Sequence, residues 1–340
     1  MKIAVTGGTG YLGAHTTKAL LDAGHQVRLL IHPDDSPQDS LGALGVDVTA
    51  LETVVGDVRD GDVITELLIG CDAVLHAAGI VGVDDSREKL MWQVNTQATA
   101  TLLTRAVGLG LDPIVHVASY SALFPCKDPV IGPDSETADG RSAYGRTKSA
   151  ADRIARGLQA GGAPVVITYP SSVVGPAAGT QRGITAMGWA AMLQLGMAPV
   201  FDGGMAMIDV RDVAAVHTAL MEPGRGPRRY VCGGEMVPFG TMVDLLEEFS
   251  GRKIRRIPMS QGAIRTLGRI SDLVGRFLPM SAGISYEAAW LLTAATPMDD
   301  SRTRSELGLT WRPIRQALMD TMCQTAPAGA LANPTERGQQ

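Results

Sequence analysis

Little in this chain of 340 residues points to metal, membrane or nucleic acid. Its four cysteines, Cys71, Cys126, Cys232 and Cys323, are scattered without a C-x-x-C spacing, which argues against a metal site or a disulfide framework and for reducing, cytoplasmic surroundings. Positive charge is not in excess: the formal net charge is −5 with no broad basic field, so nucleic acid is not an expected partner. No uninterrupted apolar run is long enough to span a bilayer. The opening "MKIAVTGGTG" passes from one lysine into three apolar residues before the glycines begin, so no signal peptide is expected. What remains, 45% hydrophobic and 19% charged residues, fits an ordinary soluble globular protein, either one elaborate domain or a domain with an appended lobe.

The first two dozen residues carry the most information. "KIAV" reads as a buried strand, "TGGTGYLG" as a glycine turn and "AHTTKALLDAGH" as a helix ending near Gly24. Strand, glycine turn and helix make a phosphate-binding arrangement. Gly7 permits the tight turn, Gly10 lets the backbone approach a diphosphate, Gly13 lets helix and sheet pack closely, and the helix offers free N–H groups. Thr9, Tyr11 and Leu12 complete the turn as candidate cofactor contacts. A tight turn with no ligand is the plainer alternative.

The second strand, "QVRLLI", ends where an NAD site usually places an acid for the ribose hydroxyl; Ile31 and His32 stand there instead. With that acid missing, His32 and Arg28 tilt the expectation from NAD to NADP, while Asp34 and Asp35 just beyond count against it. Further apolar runs, "TVVGDVRD", "CDAVLHAAG", "DPIVHVAS" and "APVVITYPSSVVGP", alternate with helical segments. This predicts an α/β fold, a doubly wound parallel (Rossmann) sheet that binds ligands at the carboxyl ends of its strands. Asp57 and Val58, then Ala77, Ala78 and Gly79, then Pro170 and Val173 fall at that edge and are candidate cofactor contacts. An ordinary loop is the alternative for each.

"SAYGRTKSAAD" sets Tyr144 and Lys148 four residues apart in helix-forming sequence, hence on one helical face. Alone, the pair is equally readable as a solvated face. Taken in order, "TGGTGYLG", "GDVRD", "HAAG", "VNTQAT", "YGRTK" and "YPSSVVGP" resemble the extended short-chain dehydrogenase/reductases. The later "MIDVRDVAAVH", "RRYVCGGE" and "RSELGLTWRP" resemble dihydroflavonol-reductase-like and sugar epimerase/dehydratase members, so the likeness runs from Met1 to about Thr321. It implies that Tyr144 is the catalytic acid/base, that Lys148 supports it and bonds the cofactor ribose, and that a helix-mediated homodimer forms. The phenol of tyrosine titrates near 10, and a nearby ammonium and a cationic nicotinamide favour its ionised form.

The family's serine pair after the fifth strand is altered here. "VHVASYSALFP" puts Ala118 and Ser119 at the pair and Tyr120 one register on, leaving Ser119 and Ser121 as equal candidates for the hydroxyl that polarises the substrate, with Tyr120 as another donor. Asn95 in "VNTQAT" is read either as a residue of the active centre or as a buried amide satisfying a neighbouring backbone. Asp209, Arg211 and Asp212 are expected to start a helix through ion pairing, with Asp212 near its cap.

Residues 1–180, with 205–232 returning to them, are expected to form the dinucleotide-binding domain, 181–204 and 233–322 a smaller, mostly helical substrate lobe, and 323–340 a disordered tail. The methionine-rich, charge-poor segment "GITAMGWAAMLQLGMAPVFDGGMAM" suggests an apolar substrate wall. Between Ala263 and Met280, Ile264, Leu267, Ile270, Val274 and Phe277 recur at helical spacing and are expected to cover the core. The function expected is an NAD(P)-dependent oxidoreductase acting on a small, fairly apolar carbonyl or secondary alcohol. The alternatives are a nucleotide-sugar epimerase or dehydratase that retains NAD, and a non-catalytic cofactor-binding regulator.

Overall fold

The computed structural model describes residues 1–82, 87–275 and 285–322. Seven parallel strands form the main sheet: β1 (Lys2–Thr6), β2 (Gln26–Ile31), β3 (Glu52–Val55), β4 (Ala73–His76), β5 (Ile114–Val117), β6 (Val165–Pro170) and β10 (Arg228–Cys232). Their order is β10-β6-β5-β4-β1-β2-β3. The central strands β4, β5 and β6 are buried along their whole length because both faces of a parallel sheet are covered. Alternate residues point to opposite layers. Thus Ile3 and Val5 join a core with Leu20, Val213 and Leu220, while Ala4 joins a core with Ile64, Leu67, Leu102 and Leu103.

The first layer is built by α1 (Tyr11–Asp22) and α8 (Val210–Ala219), the opposite layer by α3 (Gly61–Leu68), α5 (Thr99–Gly108) and α6 (Ala143–Ala160). Two single-turn helices, α2 (Pro37–Ser40) and α4 (Glu88–Met91), lie in the connections. From α4 the chain runs through a π-helical stretch, Trp92–Ala98, directly into α5.

The smaller lobe has its own core, which includes Trp189, Phe201, Phe239, Leu246, Ile264 and Leu318. It comprises β7 (Ser172–Val174), β9 (Gly204–Asp209) and β11 (Glu235–Pro238) in one sheet, ordered β11-β9-β7, and β8 (Met197–Val200) paired with β12 (Arg255–Pro258) in another. Its helices are α7 (Ile184–Leu195), α9 (Phe239–Ser250), α10 (Gln261–Gly275), α11 (Tyr286–Ala294) and α13 (Ile314–Met322), whereas α12 (Ser301–Leu307), expected in this lobe, packs on β10 and α8 of the main sheet. Within 205–232, α8 and β10 pack with the main sheet, whereas β9 pairs with β7 and β11.

Ion pairs join the layers at the start of α8. Asp209 is the cap, accepting from the Arg211 N–H at 2.8 Å, and Arg211 also pairs with Asp320 of α13 at 2.6 Å. Asp212 instead binds the backbone N–H of Arg312 at 2.7 Å, so its part is to hold the chain entering α13 and not to cap α8.

The stretch expected to cover the core behaves differently. In α10, Ile264 is buried but Leu267 and Ile270 are 43% and 53% exposed, because the helix packs by one edge against α11. The side chains of Val274 and Phe277, and the tail 323–340, lie outside the described residues.

Between β1 and α1 the chain turns within van der Waals contact of itself. Gly7 has φ +71°, and a Cβ there would stand 2.6 Å from the Ala77 carbonyl carbon and the Ala78 nitrogen. A Cβ on Gly13 would run into the Gly7 carbonyl oxygen. Gly13→Ala is therefore expected to destabilise the fold by about 1–3 kcal/mol through overpacking, read as a lowered denaturation midpoint. Unchanged stability would show that the turn is looser than described.

Candidate active site

Most of the predicted cofactor residues follow β1, β2, β3, β4 and β6, while Val173 lies in β7 of the second sheet and Lys148 in α6. Gly10 caps α1 without a side-chain bond, and the first turn of α1 itself carries no acidic residue. A diphosphate fits such an N-terminus. Thr9 donates to Asp35 at 2.5 Å. Tyr11 turns towards the smaller lobe, its ring edge-on to His15 at 5.9 Å and 3.0 Å from the position of a Gly183 Cβ. Leu12 and Val173 pack partly buried against one core and Val58 against the other, which leaves their backbone groups at the edge.

At the ends of β2 and β3, His32 lies 3.6 Å from both Asp34 and Asp57. Asp57 is held by Arg59, whose Nε donates at 2.9 Å to each carboxylate oxygen, and this holds its carboxyl down at about 2. Past β4, Ala77 donates to the Thr6 carbonyl at 3.1 Å and Ala78 to the Thr6 hydroxyl at 3.2 Å, which fixes the small-residue loop. A Cβ on Gly79 would stand 3.3 Å from Asn95 Oδ1 and 3.4 Å from Lys148 Nζ. Pro170 ends β6, buried.

Helix α6 delivers Tyr144 and Lys148. Its cap is Ser142, whose hydroxyl accepts from the Gly145 N–H at 2.9 Å. Lys148 is 6% exposed, and burial pushes its ammonium down to about 8. Its Nζ is 6.0 Å from the centre of the Tyr144 ring. Burial and the charge of Glu287 push the half-buried Tyr144 phenol up to about 12, opposed by a hydrogen bond with the Ser119 hydroxyl. Ser119 therefore meets the phenol, while the buried Ser121 donates its backbone N–H to Ser119 Oγ at 3.2 Å.

Asn95 sits in the π-helical stretch and is fully engaged in structure. Its Oδ1 accepts from the Ile80 N–H at 2.7 Å, and its Nδ2 donates to the Ile80 carbonyl at 3.0 Å and to Thr147 Oγ at 3.2 Å. Beneath it His76 is held as one tautomer. Thr99 spends its proton on the Asn95 carbonyl at 2.8 Å and so accepts from His76 Nε2 at 2.8 Å. The Nδ1 then accepts from Thr6 at 2.7 Å. Burial and the Lys148 charge push His76 down to about 3, and the stacked His116, 5.7 Å away, also goes down.

Sequence reasoning missed one group. Glu287 enters from α11 of the smaller lobe, where no motif marks it. Tyr120 and Met205, both within features read from the sequence, line a small crevice with Phe124 and Leu291 between the β5 loop and the lobe.

Residues 3–233 match the family described as "NAD dependent epimerase/dehydratase family". The chain belongs to that family. Its members include NAD-dependent oxidoreductases and epimerases, among them the extended short-chain dehydrogenase/reductases. The chain is 29% identical over 332 residues to "Sterol demethylase protein B" of Methylococcus capsulatus, covering 95% of this chain and 97% of that one. It is 26% identical over 346 residues to the "4-hydroxy-2-methyl-3-oxo-4-farnesyl-3,4-dihydroquinoline-1-oxide ketoreductase" of Stigmatella aurantiaca, covering 98% and 99%. The fold is shared with the UDP-glucuronic acid 4-epimerase from Bacillus cereus, solved with UDP-glucuronic acid and NAD, at TM-score 0.73, 21% identity and 96% and 100% coverage. Among the described residues no helix is long and apolar enough to cross a membrane.

A buried ammonium whose pKa falls from 10.5 to about 8 costs stability, in full below about pH 8 and not at all once the pH passes 10.5. Lys148→Met is expected to raise stability at pH 7 by about 1–3 kcal/mol, with the gain shrinking as pH rises. Chemical denaturation at pH 7 and pH 9.5 reads this. A loss of stability at pH 7 would show that the ammonium is repaid by contacts.

Proposed function

We propose that the protein is a nicotinamide-dependent oxidoreductase that moves a hydride between the cofactor and the carbon of a carbonyl or secondary alcohol in a small, fairly apolar substrate. The observation that carries this is the meeting of the Ser119 hydroxyl with the Tyr144 phenol above the buried Lys148.

The dinucleotide, when bound, supplies or accepts the hydride. Tyr144 gives its proton to the substrate oxygen as reduction makes it an alkoxide, and takes that proton back in oxidation. A phenol held near 12 is protonated at neutral pH, ready to act as an acid. Ser119 donates to the same oxygen and polarises it. Lys148 places positive charge beside the phenol and favours the phenolate, while Asn95 and Thr147 pack around its helix. The glycine turn through Gly7, Gly10 and Gly13, with Thr9, Tyr11 and Leu12, would hold the diphosphate, and Ala77, Ala78, Gly79, Pro170 and Val173 would border the nicotinamide half.

The expected tilt to NADP is replaced by one to NAD. Asp34 and Asp57 flank His32, and Asp35 is drawn in beside Thr9, so a 2′-phosphate would meet three carboxylates whereas a ribose hydroxyl would find acceptors. An apolar substrate is favoured by two of the relatives, whose names refer to a sterol and to a farnesyl-bearing ring.

Tyr144→Phe is expected to cut turnover of a hydrophobic ketone by at least about 100-fold while leaving cofactor affinity within about twofold. Ser119→Ala is expected to lose much more than Ser121→Ala. Equal losses in the two serine variants would remove Ser119 from the reading. Steady-state assays with both reduced cofactors are expected to give at least about tenfold higher kcat/KM with NADH than with NADPH. A preference for NADPH would overturn the reading of the three carboxylates.

A further inference from the structure

The start of α6 is closed in an unusual way. In a capping box the N-cap side chain accepts from the N–H three residues on, and the residue there returns a carboxylate to the N-cap N–H. Ser142 makes the first bond, to Gly145, at 2.9 Å. Gly145 has no side chain to make the second. The Ser142 N–H instead donates to Glu287 Oε2 at 2.5 Å, across 145 residues of sequence. A Cβ on Gly145 would stand only 3.0 Å from Glu287 Oε1, so the glycine makes room for a carboxylate arriving from the other lobe.

The same surface of α11 carries two more contacts to the segment before α6. The Arg141 guanidinium lies 3.8 Å from the centre of the Trp290 ring, and Phe124 meets that ring edge-on at 4.9 Å. Between Ser142 and Gly145 in sequence stands Tyr144. The geometry points to Glu287 as a positioning residue for Tyr144: the smaller lobe supplies the missing half of the capping box, so that the phenol is aimed at Ser119 only when that lobe is docked on α6.

This rests on the proposed role of Tyr144 in turnover. The groups that face the phenol are Ser119 and Tyr120 from the loop after β5, Lys148 from its own helix and Glu287 from α11. Removing the carboxylate acts in two separable ways. Glu287→Gln keeps an acceptor for the Ser142 N–H but deletes the charge, and Glu287→Ala deletes both.

The test uses the full chain and two readouts. In steady state, Glu287→Ala is expected to lower kcat about tenfold to 100-fold with the Kd for NAD within about twofold of the parent, since a small misplacement of a reacting group costs that much. Glu287→Gln is expected to recover most of the turnover while moving the rising limb of alcohol oxidation to lower pH. Independently of activity, the carbon-13 signal of the Tyr144 ring, assigned by its loss in Tyr144→Phe, is expected to shift in both variants and to titrate at lower pH in Glu287→Gln. Unchanged Tyr144 signals in both variants would overturn the inference whether or not turnover is found. So would a fall in melting temperature and turnover with the pH profile unmoved, the mark of a cap that serves stability alone. A parent chain that reduces no carbonyl, but whose Tyr144 signal responds to Glu287, would sink the proposed reaction and leave the positioning intact.

Discussion

A buried ammonium is costly to hold, and the centre of this molecule is arranged around one. Lys148 reaches the carboxyl edge of the sheet from α6, with Gly79 leaving space beside its Nζ. A side chain at Gly79 would sit against both the amine and the Asn95 amide, so the glycine is set by these two neighbours. The two imidazoles below, His76 and His116, are neutral because burial and the lysine charge both oppose protonation. With His76 fixed in one tautomer by Thr6 and Thr99, the floor of the site presents dipoles of fixed sense and no competing positive charge. The π-helical turn through Asn95 belongs to the same arrangement, since the extra residue in that turn carries an amide that pins both backbone groups of Ile80.

Electrostatics also divides the sheet edge. At the glycine turn, α1 offers N–H groups and has no acid in its first turn. At the ends of β2 and β3, Asp34, Asp35 and Asp57 concentrate negative charge, relieved by Arg59 on Asp57. An anion is therefore welcome at one place and a hydroxyl donor at the other, a few residues apart in sequence.

The layers of the fold were legible because each rests on local rules. Continuous apolar runs predicted parallel strands, and "TGGTGYLG" marked a turn that Gly7 and Gly13 alone can make at these distances. What was not legible depends on residues far apart in sequence. His32 invited a cationic reading until the fold set Asp34 and Asp57 at 3.6 Å on either side. The spacing in α10 promised a buried face, but periodicity states only which residues share a side, and the structure gives Leu267 and Ile270 no layer to cover them. Ser119 and Ser121 were indistinguishable from the register of a turn, and were separated by which hydroxyl meets the phenol. Glu287 carried no local signal, because its meaning depends on a glycine 142 positions earlier.

The two lobes are joined by charge at both ends of their contact, and the ends differ in kind. At α8 the bonds are ion pairs: Asp209 with Arg211, Arg211 with Asp320, and Asp212 with the chain at Arg312. Removing one partner there strands a buried carboxylate, which makes that end a stable hinge of the assembly. At α6 the bond is a single carboxylate on a helix N-terminus, supported by an aromatic ring under Arg141. Such a contact is worth far less, because a freed N–H at a helix start can turn to water. The strong junction therefore lies away from the phenol and the weak one beside it.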